Sequence, residues 1–277
     1  MTSDREPFLV IEPSPAWRPV DLREVWRYRE LLYFFVWRDV KVRYKQTVLG
    51  VAWAVIQPLF AMIIFAFFFG RVAKLPSDGI PYPLFCYAGL LPWTFFANAL
   101  ANGSQSLLGS SNLVTKVYFP RILVPAAAVA TGLVDFAFAL LMLVPLMWWK
   151  STAPAAGAFA MVPLLILITF LLAFGLSTWL SALIVRYRDV RHVVPFVIQI
   201  WMFATPIIYP LSFIPSKWRW AVSLNPMAAV VEAFRASIFG RPVDSAGLLY
   251  AAVVALILIA SGSIYFRRLE RLFADVM

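Results

Sequence analysis

Apolar runs long enough to cross a lipid bilayer recur along almost the whole chain. A helix needs about 20 such residues to cover roughly 30 Å of hydrocarbon. Six segments meet that demand, at about 49–69, 83–108, 122–148, 159–185, 193–209 and 247–266. The hydrocarbon offers no hydrogen-bond partner, so a lone apolar run crosses it only as a helix, which satisfies its own backbone. The expected fold is therefore an all-α membrane protein with six transmembrane helices. Composition agrees: 62% of the 277 residues are hydrophobic and 14% charged, against about 45–50% and 25% in soluble domains. A water-soluble globule is excluded. The second run is the weakest, because Pro92, Asn98, Asn102 and Gln105 interrupt it.

The 24 Lys and Arg against 14 Asp and Glu give +10. In a soluble chain this would suggest nucleic acid; here it reads as topology, since cytoplasmic flanks collect Lys and Arg. With the N-terminus inside, only Arg71, Lys74, Lys150, Lys217, Arg219, Arg235 and Arg241 fall outside. Both termini are then cytoplasmic, and no nucleic-acid partner is expected. Residues 1–20 are polar, carry Pro7, Pro13, Pro15 and Pro19, show no secretory signal and read as a disordered cytoplasmic tail.

Several chemistries are ruled out by what is missing. Cys86 is the one cysteine and His192 the one histidine, which excludes a disulfide framework, a Cys- or His-rich metal centre and a histidine relay. Gly103 and Gly109 are followed by Ser110 and Ser111, not by the lysine that a phosphate-binding loop requires, so ATP is not bound by that route. Asp135 is the main ionisable group within a span. A single carboxylate argues weakly for ion coupling, and its pairing with a polar group on a neighbouring helix is the stronger reading. Asp78, Glu232 and Asp244 are too scattered for a glycosyltransferase, and no catalytic residue is assigned. Residues 49–148 and 159–266 show no similarity that would support an inverted repeat.

Three regions are neither span nor ordinary loop. Residues 21–46 mix Trp, Tyr and Phe with regularly spaced cations, the pattern of an amphipathic helix lying in the membrane interface. Residues 210–245 hold Trp218, Trp220, several prolines and the stretch MAAVVEAFRASIF. That stretch is too short and too polar to cross, which suggests outer re-entrant or half-helices between spans five and six, or else a folded outer loop. Residues 106–125 form a short cytoplasmic connection in which Asn112 would cap a small helix and Pro120 would end it. Leu113, Val117 and Phe119 would dock into a partner's groove, with Lys116 and Arg121 at the rim. Ala173, Ser177 and Ser181, and Gly247, Ala251 and Ala255, form small-residue ladders suited to helix packing within one chain.

The runs RDVKVRYKQTVLGVAWAVIQPLF (38–60), NLVTKVYFPRILVP (112–125), RYRDVRHVVPF (186–196) and YPLSFIPSKWRWAVSLNPMAAVVEAFR (209–235) resemble the permease of ABC-2-type polysaccharide exporters. This family moves O-antigen, capsule and wall teichoic acid. The resemblance runs colinearly over about residues 22–270. It implies a bacterial inner-membrane, multi-pass permease working as two copies with two cytoplasmic ABC ATPase subunits, which hold the ATP and magnesium; no cofactor or metal belongs to this chain. It also implies a polyprenyl-linked polysaccharide as substrate. Asn112, Leu113, Val114, Thr115, Lys116, Val117, Tyr118, Phe119 and Pro120 then resemble the coupling helix that contacts the ATPase. Arg38, Lys41, Arg43 and Lys45 match the basic end of the interface helix, where the substrate diphosphate or anionic phospholipid headgroups would meet them.

Aromatic residues make up 16% of the chain. Stacked rings bind sugar C–H faces weakly and repeatedly, so a glycan slides instead of sticking. Trp53 and Phe60 on span one, and Tyr82, Phe85, Tyr87, Trp93, Phe95 and Phe96 on span two, are candidates, though interfacial belts also use such rings. The preferred path set is Trp53, Tyr87, Trp93, Phe95 and Phe96. The organisation expected is a tail (1–20), an interface helix (21–46), the six-span permease domain (47–267) and a cytoplasmic C-terminal tail (268–277). The expected function is the permease of an ATP-driven exporter of lipid-linked polysaccharide; the alternatives are an exporter of drugs or small lipids, or a membrane glycosyltransferase.

Overall fold

The computed structural model describes residues 22–45, 50–270 and 273. The tail at 1–20, the start of the first span and most of the C-terminal tail beyond 270 lie outside the described residues. Helices α1 (Leu22–Arg27) and α2 (Arg29–Lys45) precede α3 (Ala52–Phe65), which continues through a π-helical stretch, Ala66–Val72. There follow α4 (Tyr82–Gly109), α5 (Ser111–Lys116), α6 (Leu123–Trp149), α7 (Ala158–Arg186) and α8 (Val190–Ala204). The chain ends in α9 (Ser216–Ser223), α10 (Pro226–Ile238) and α11 (Ser245–Glu270). No strand occurs among the described residues.

Among the described residues, five helices are long and apolar enough to cross a membrane: Ala52–Val72, α4, α6, α7 and α11. The run at 193–209 behaves differently. Helix α8 has 15 residues, about 22 Å at 1.5 Å per residue, short of the full hydrocarbon depth. Pro206 explains the stop, because the residue before a proline is driven out of the helical region; Thr205 has φ −100° and ψ 136°. After this break the chain turns back through α9 into α10, whose residues are buried from Met227 to Ile238 except Ala229 and Glu232.

Helix α4 is the centre of the bundle, packed against α6 and α7, while α11 packs on α7. Ala173, Ser177 and Ser181 are all buried, as are Ala251 and Ala255. The small-residue ladders thus pack helices within the chain, as their spacing predicts. At Gly175 the α7 and α11 backbones approach so closely that a Cβ would lie 2.9 Å from the Ile259 nitrogen. Helix α3 is nearly bare by contrast, with only Pro58 and Met62 buried.

Helices α1 and α2 are joined without a break in hydrogen bonding, since the Tyr28 N–H donates to Glu24 O and the Leu32 N–H to Tyr28 O. Their residues form three stripes. Phe35, with Val25, Tyr28, Leu31, Leu32 and Val36, packs on the body of the protein. Trp26, Tyr33, Phe34 and Trp37 stand exposed on the opposite side, and the cations flank them. The segment therefore has two apolar stripes where the sequence suggests one, and a simple two-faced pattern does not describe it.

Candidate functional site

A cleft of about 670 Å³ opens between the end of α2, α3, α4 and α6. Its polar wall comes from α4. Thr94, Asn98 and Asn102 line it, and Ser106 and Ser110 line a second, smaller cavity of about 410 Å³ together with Asn102. Residues four apart are neighbours on the helix surface, so Thr94, Asn98, Asn102 and Ser106 make a polar stripe that winds slowly round α4 for about 18 Å at 1.5 Å per residue, and Ser110 continues it at the C-cap. Opposite it, α6 contributes Val124, Ala128 and Thr131 to the smaller cavity and Gly132, Asp135, Phe136 and Ala139 to the larger. Gln57 of α3 adds a further amide to the larger cleft.

Charge enters this cleft at one point. The Asp135 carboxylate accepts from the Arg43 guanidinium and from the Tyr44 hydroxyl. The carboxylate within the span therefore pairs with a neighbouring helix, as expected, and its partner is one of the basic candidates at the end of α2. The four cations separate. Arg38 and Arg43 border the smaller cavity; Lys41 is exposed, 5.5 Å over the Trp37 ring, and Lys45 is exposed at the helix end. Arg38 also bonds Asp39 at 2.8 Å.

The five aromatic candidates separate in the same way. Trp53, 58% exposed, lines the cleft, and Phe95 backs its wall while itself buried against Phe136. Tyr87, Trp93 and Phe96 are sealed in the core. The Tyr87 hydroxyl donates to Ala139 O at 2.8 Å, and Trp93 and Phe96 pack on Trp201 with ring centroids 6.3 and 5.2 Å apart. These rings fasten α8 and α6 to α4. Phe60 is exposed, Phe85 is buried, and the Tyr82 hydroxyl donates to Ile208 O at 2.7 Å.

The connection after α4 also departs in detail from its sequence reading. Ser110, not Asn112, stands at the helix start, and Asn112 lies inside α5. The helix closes at Lys116, four residues before Pro120. Phe119 does not face outward for docking: it is buried, 5.5 Å from the Phe35 ring, and Val114 and Pro120 are buried with it. Leu113 packs against the same cluster. What remains exposed is Asn112, Thr115, Lys116, Val117 and Tyr118. The apolar content of this connection serves partly to anchor it to α2.

At the opposite end of the bundle, Arg235 of α10 is only 2% exposed. It donates to Phe85 O at 3.1 Å, Ile207 O at 2.6 Å and Glu232 Oε1 at 3.0 Å, and stacks 3.7 Å over the Phe85 ring. Burial pushes the Glu232 carboxyl above its ordinary range, against the pull of Arg235. This cluster ties α10 to α4 and to the segment after α8.

The polar stripe is the feature of the cleft that the sequence reading did not identify. Asn98 and Asn102 register there as blemishes in an apolar run. The signal was present as the spacing 94, 98, 102, 106, 110, every position Thr, Asn or Ser.

Comparison with known proteins accounts for this architecture. The chain is 34% identical over 258 residues to the O-antigen export system permease protein RfbA of Myxococcus xanthus, covering 92% of this chain and 98% of the relative. It is 27% identical over 248 residues to the protein of the same name from Klebsiella pneumoniae, with 90% and 95% coverage. It is 23% identical over 236 residues to the polysialic acid transport protein KpsM of Escherichia coli, with 84% and 91% coverage. The family model described as ABC-2 type transporter matches residues 30–239, from the start of α2 to the end of α10. By that match, which takes in both cavities and the buried arginine, the chain belongs to the ABC-2 type transporter family.

Proposed function

We propose that this chain is the membrane permease of an ATP-driven exporter that carries a lipid-linked polysaccharide, such as O-antigen, out across the bacterial inner membrane. The observation that carries the reading is the stripe of Thr94, Asn98, Asn102, Ser106 and Ser110 beside the rings of Trp53 and Phe95. Hydroxyls and amides exchange hydrogen bonds with sugar hydroxyls, and rings offer flat faces to sugar C–H groups. Repetition every four residues gives a chain of similar shallow sites, which suits a sliding polymer. The export names borne by the relatives from Myxococcus and Klebsiella agree with this use.

In this reading both termini are cytoplasmic. The segment α1–α2 lies in the inner interface, with Trp26, Tyr33, Phe34 and Trp37 toward lipid and the cations toward headgroups. Helix α8 is the short sixth crossing, and α9 and α10 fold back from the outer face as half-helices. Two copies meet where α3 is bare, so that each lends its cleft to a shared path. ATP and magnesium belong to two partner ATPase subunits. Asn112, Thr115, Lys116, Val117 and Tyr118 offer the exposed contact, and Leu113, Val114, Phe119 and Pro120 brace it. Arg38 and Arg43, with Lys41 and Lys45 at the rim, meet the diphosphate of the polyprenyl carrier as point charges and forks. Contacts that differ between nucleotide states bias the path between closed and open forms.

Deleting the gene and scoring surface polysaccharide together with the internal lipid-linked pool tests this. Export requires that the surface polymer vanish while the internal pool grows. An unchanged surface refutes it.

A further inference from the structure

The two cavities are stacked along one wall, and the boundary between them is made of side chains. On α4 the larger takes Thr94, Asn98 and Asn102, and the smaller takes Asn102 and Ser106, with Ser110 just beyond the helix end. On α6 the division falls between Thr131 and Gly132. Arg43 borders both cavities, and it stands there bound to Asp135. The smaller cavity collects donors suited to a phosphate group: the Arg38 and Arg43 guanidinium groups, the Ser110 hydroxyl and the Asn102 amide, while the Ser106 and Thr131 hydroxyls already donate to Gly103 O and Ala127 O. Its one carboxylate, Asp39, is engaged by Arg38.

We propose that Arg43, Asp135 and Tyr44 form a latch between the two cavities, released when a substrate phosphate group in the smaller cavity replaces the Asp135 carboxylate on Arg43. This rests on the export reading and adds the internal rival that the substrate must displace. Carboxylate and phosphate compete for the same planar fork of guanidinium donors. A carboxylate within a span is costly without a partner, so the latch closes when no phosphate is present. Tyr44 supplies the compensation on opening, because its hydroxyl already donates to Asp135 and remains when the guanidinium leaves. The substrate thereby carries the group that opens its own way, and uncharged sugars do not.

The test uses the full chain in nanodiscs of phosphatidylcholine with geranylgeranyl diphosphate as the probe. Asp135→Asn removes the rival charge and keeps the shape, so probe affinity rises about tenfold, the competent form no longer being taxed by the closed one. Arg43→Gln weakens binding, and Lys217→Gln, exposed on α9 away from both cavities, leaves it within twofold. A static ion pair predicts the reverse for Asp135→Asn, a loss of thermal stability with no gain in affinity, and that result overturns the latch. A second measurement keeps the native cluster. Spin labels on Lys45→Cys of α2 and Leu141→Cys of α6, both exposed positions, report a changed distance when the probe binds; an unchanged distance with the probe bound overturns the proposal. Inorganic pyrophosphate, and discs containing phosphatidylglycerol, separate the sources. Opening by either supports the latch and assigns the trigger to free phosphate or to bulk headgroup. Tight probe binding that Asp135→Asn leaves unchanged sinks the latch alone, whereas unchanged surface polysaccharide on deletion sinks the export reading.

Discussion

Gly89 and Arg235 are coupled in a way that fixes both the sign and the size of a substitution. A Cβ on Gly89 would stand 2.4 Å from Arg235 Nη2 and 3.1 Å from its Cζ. The guanidinium would have to retreat by about 1 Å to restore ordinary contact, and its bonds to the Phe85 and Ile207 carbonyls hold it in place. A hydrogen bond from a charged group contributes about 1.5–3 kcal/mol, so losing one sets the gross cost of Gly89→Ala. Alanine recovers about 0.5–1 kcal/mol through its better fit to a helix, which leaves a net loss of about 0.5–2.5 kcal/mol. The background Glu232→Gln/Arg235→Met removes the guanidinium without stranding the carboxylate. There Gly89→Ala meets a flexible thioether and stabilises the protein by about 0.5–1 kcal/mol. Thermal and chemical unfolding of all four proteins in one mild detergent gives the double-mutant cycle. The same loss in both backgrounds, within about 0.5 kcal/mol, would refute the account of why glycine stands at 89.

Other consequences can be checked with fewer variants. Asn98→Leu and Asn102→Leu interrupt the polar stripe, and surface polysaccharide falls at least about tenfold, some 1.4 kcal/mol on the transport barrier, with unfolding temperature unchanged or raised. Val117→Ser/Tyr118→Ser abolishes export and leaves stability within about 0.5 kcal/mol, because both side chains are exposed. Phe119→Ala, at the buried edge-on contact with Phe35, instead costs about 3–5 kcal/mol in an unfolding assay. Gly175→Ala forces the α7 and α11 backbones apart at Ile259 and lowers stability by about 1–3 kcal/mol.

How much was legible in the chain follows from the range of each interaction. Membrane class and helix spacing are local sums over contiguous residues, so the sequence carries them openly. The ladders at 173–181 and 247–255 were readable as packing within one chain because small residues have few other uses on a span. Asp135 was readable as a paired carboxylate, since the cost of leaving it alone in hydrocarbon holds wherever the partner lies. Its partner was not readable: Arg43 is 92 residues away, and nothing local distinguishes it from Lys41 or Lys45. The aromatic set failed to divide for the same reason. Trp93 and Phe96 face Trp201, while Trp53 lines the cleft and Phe95 backs its wall, and one-dimensional spacing does not say which helix stands opposite each ring. The sequence by itself determined that this is a helical membrane protein whose second span is interrupted by polar residues. Tertiary structure decided that these polar residues line a cleft, because only the placing of α2, α3 and α6 against α4 leaves space beside them and sets one ion pair across it.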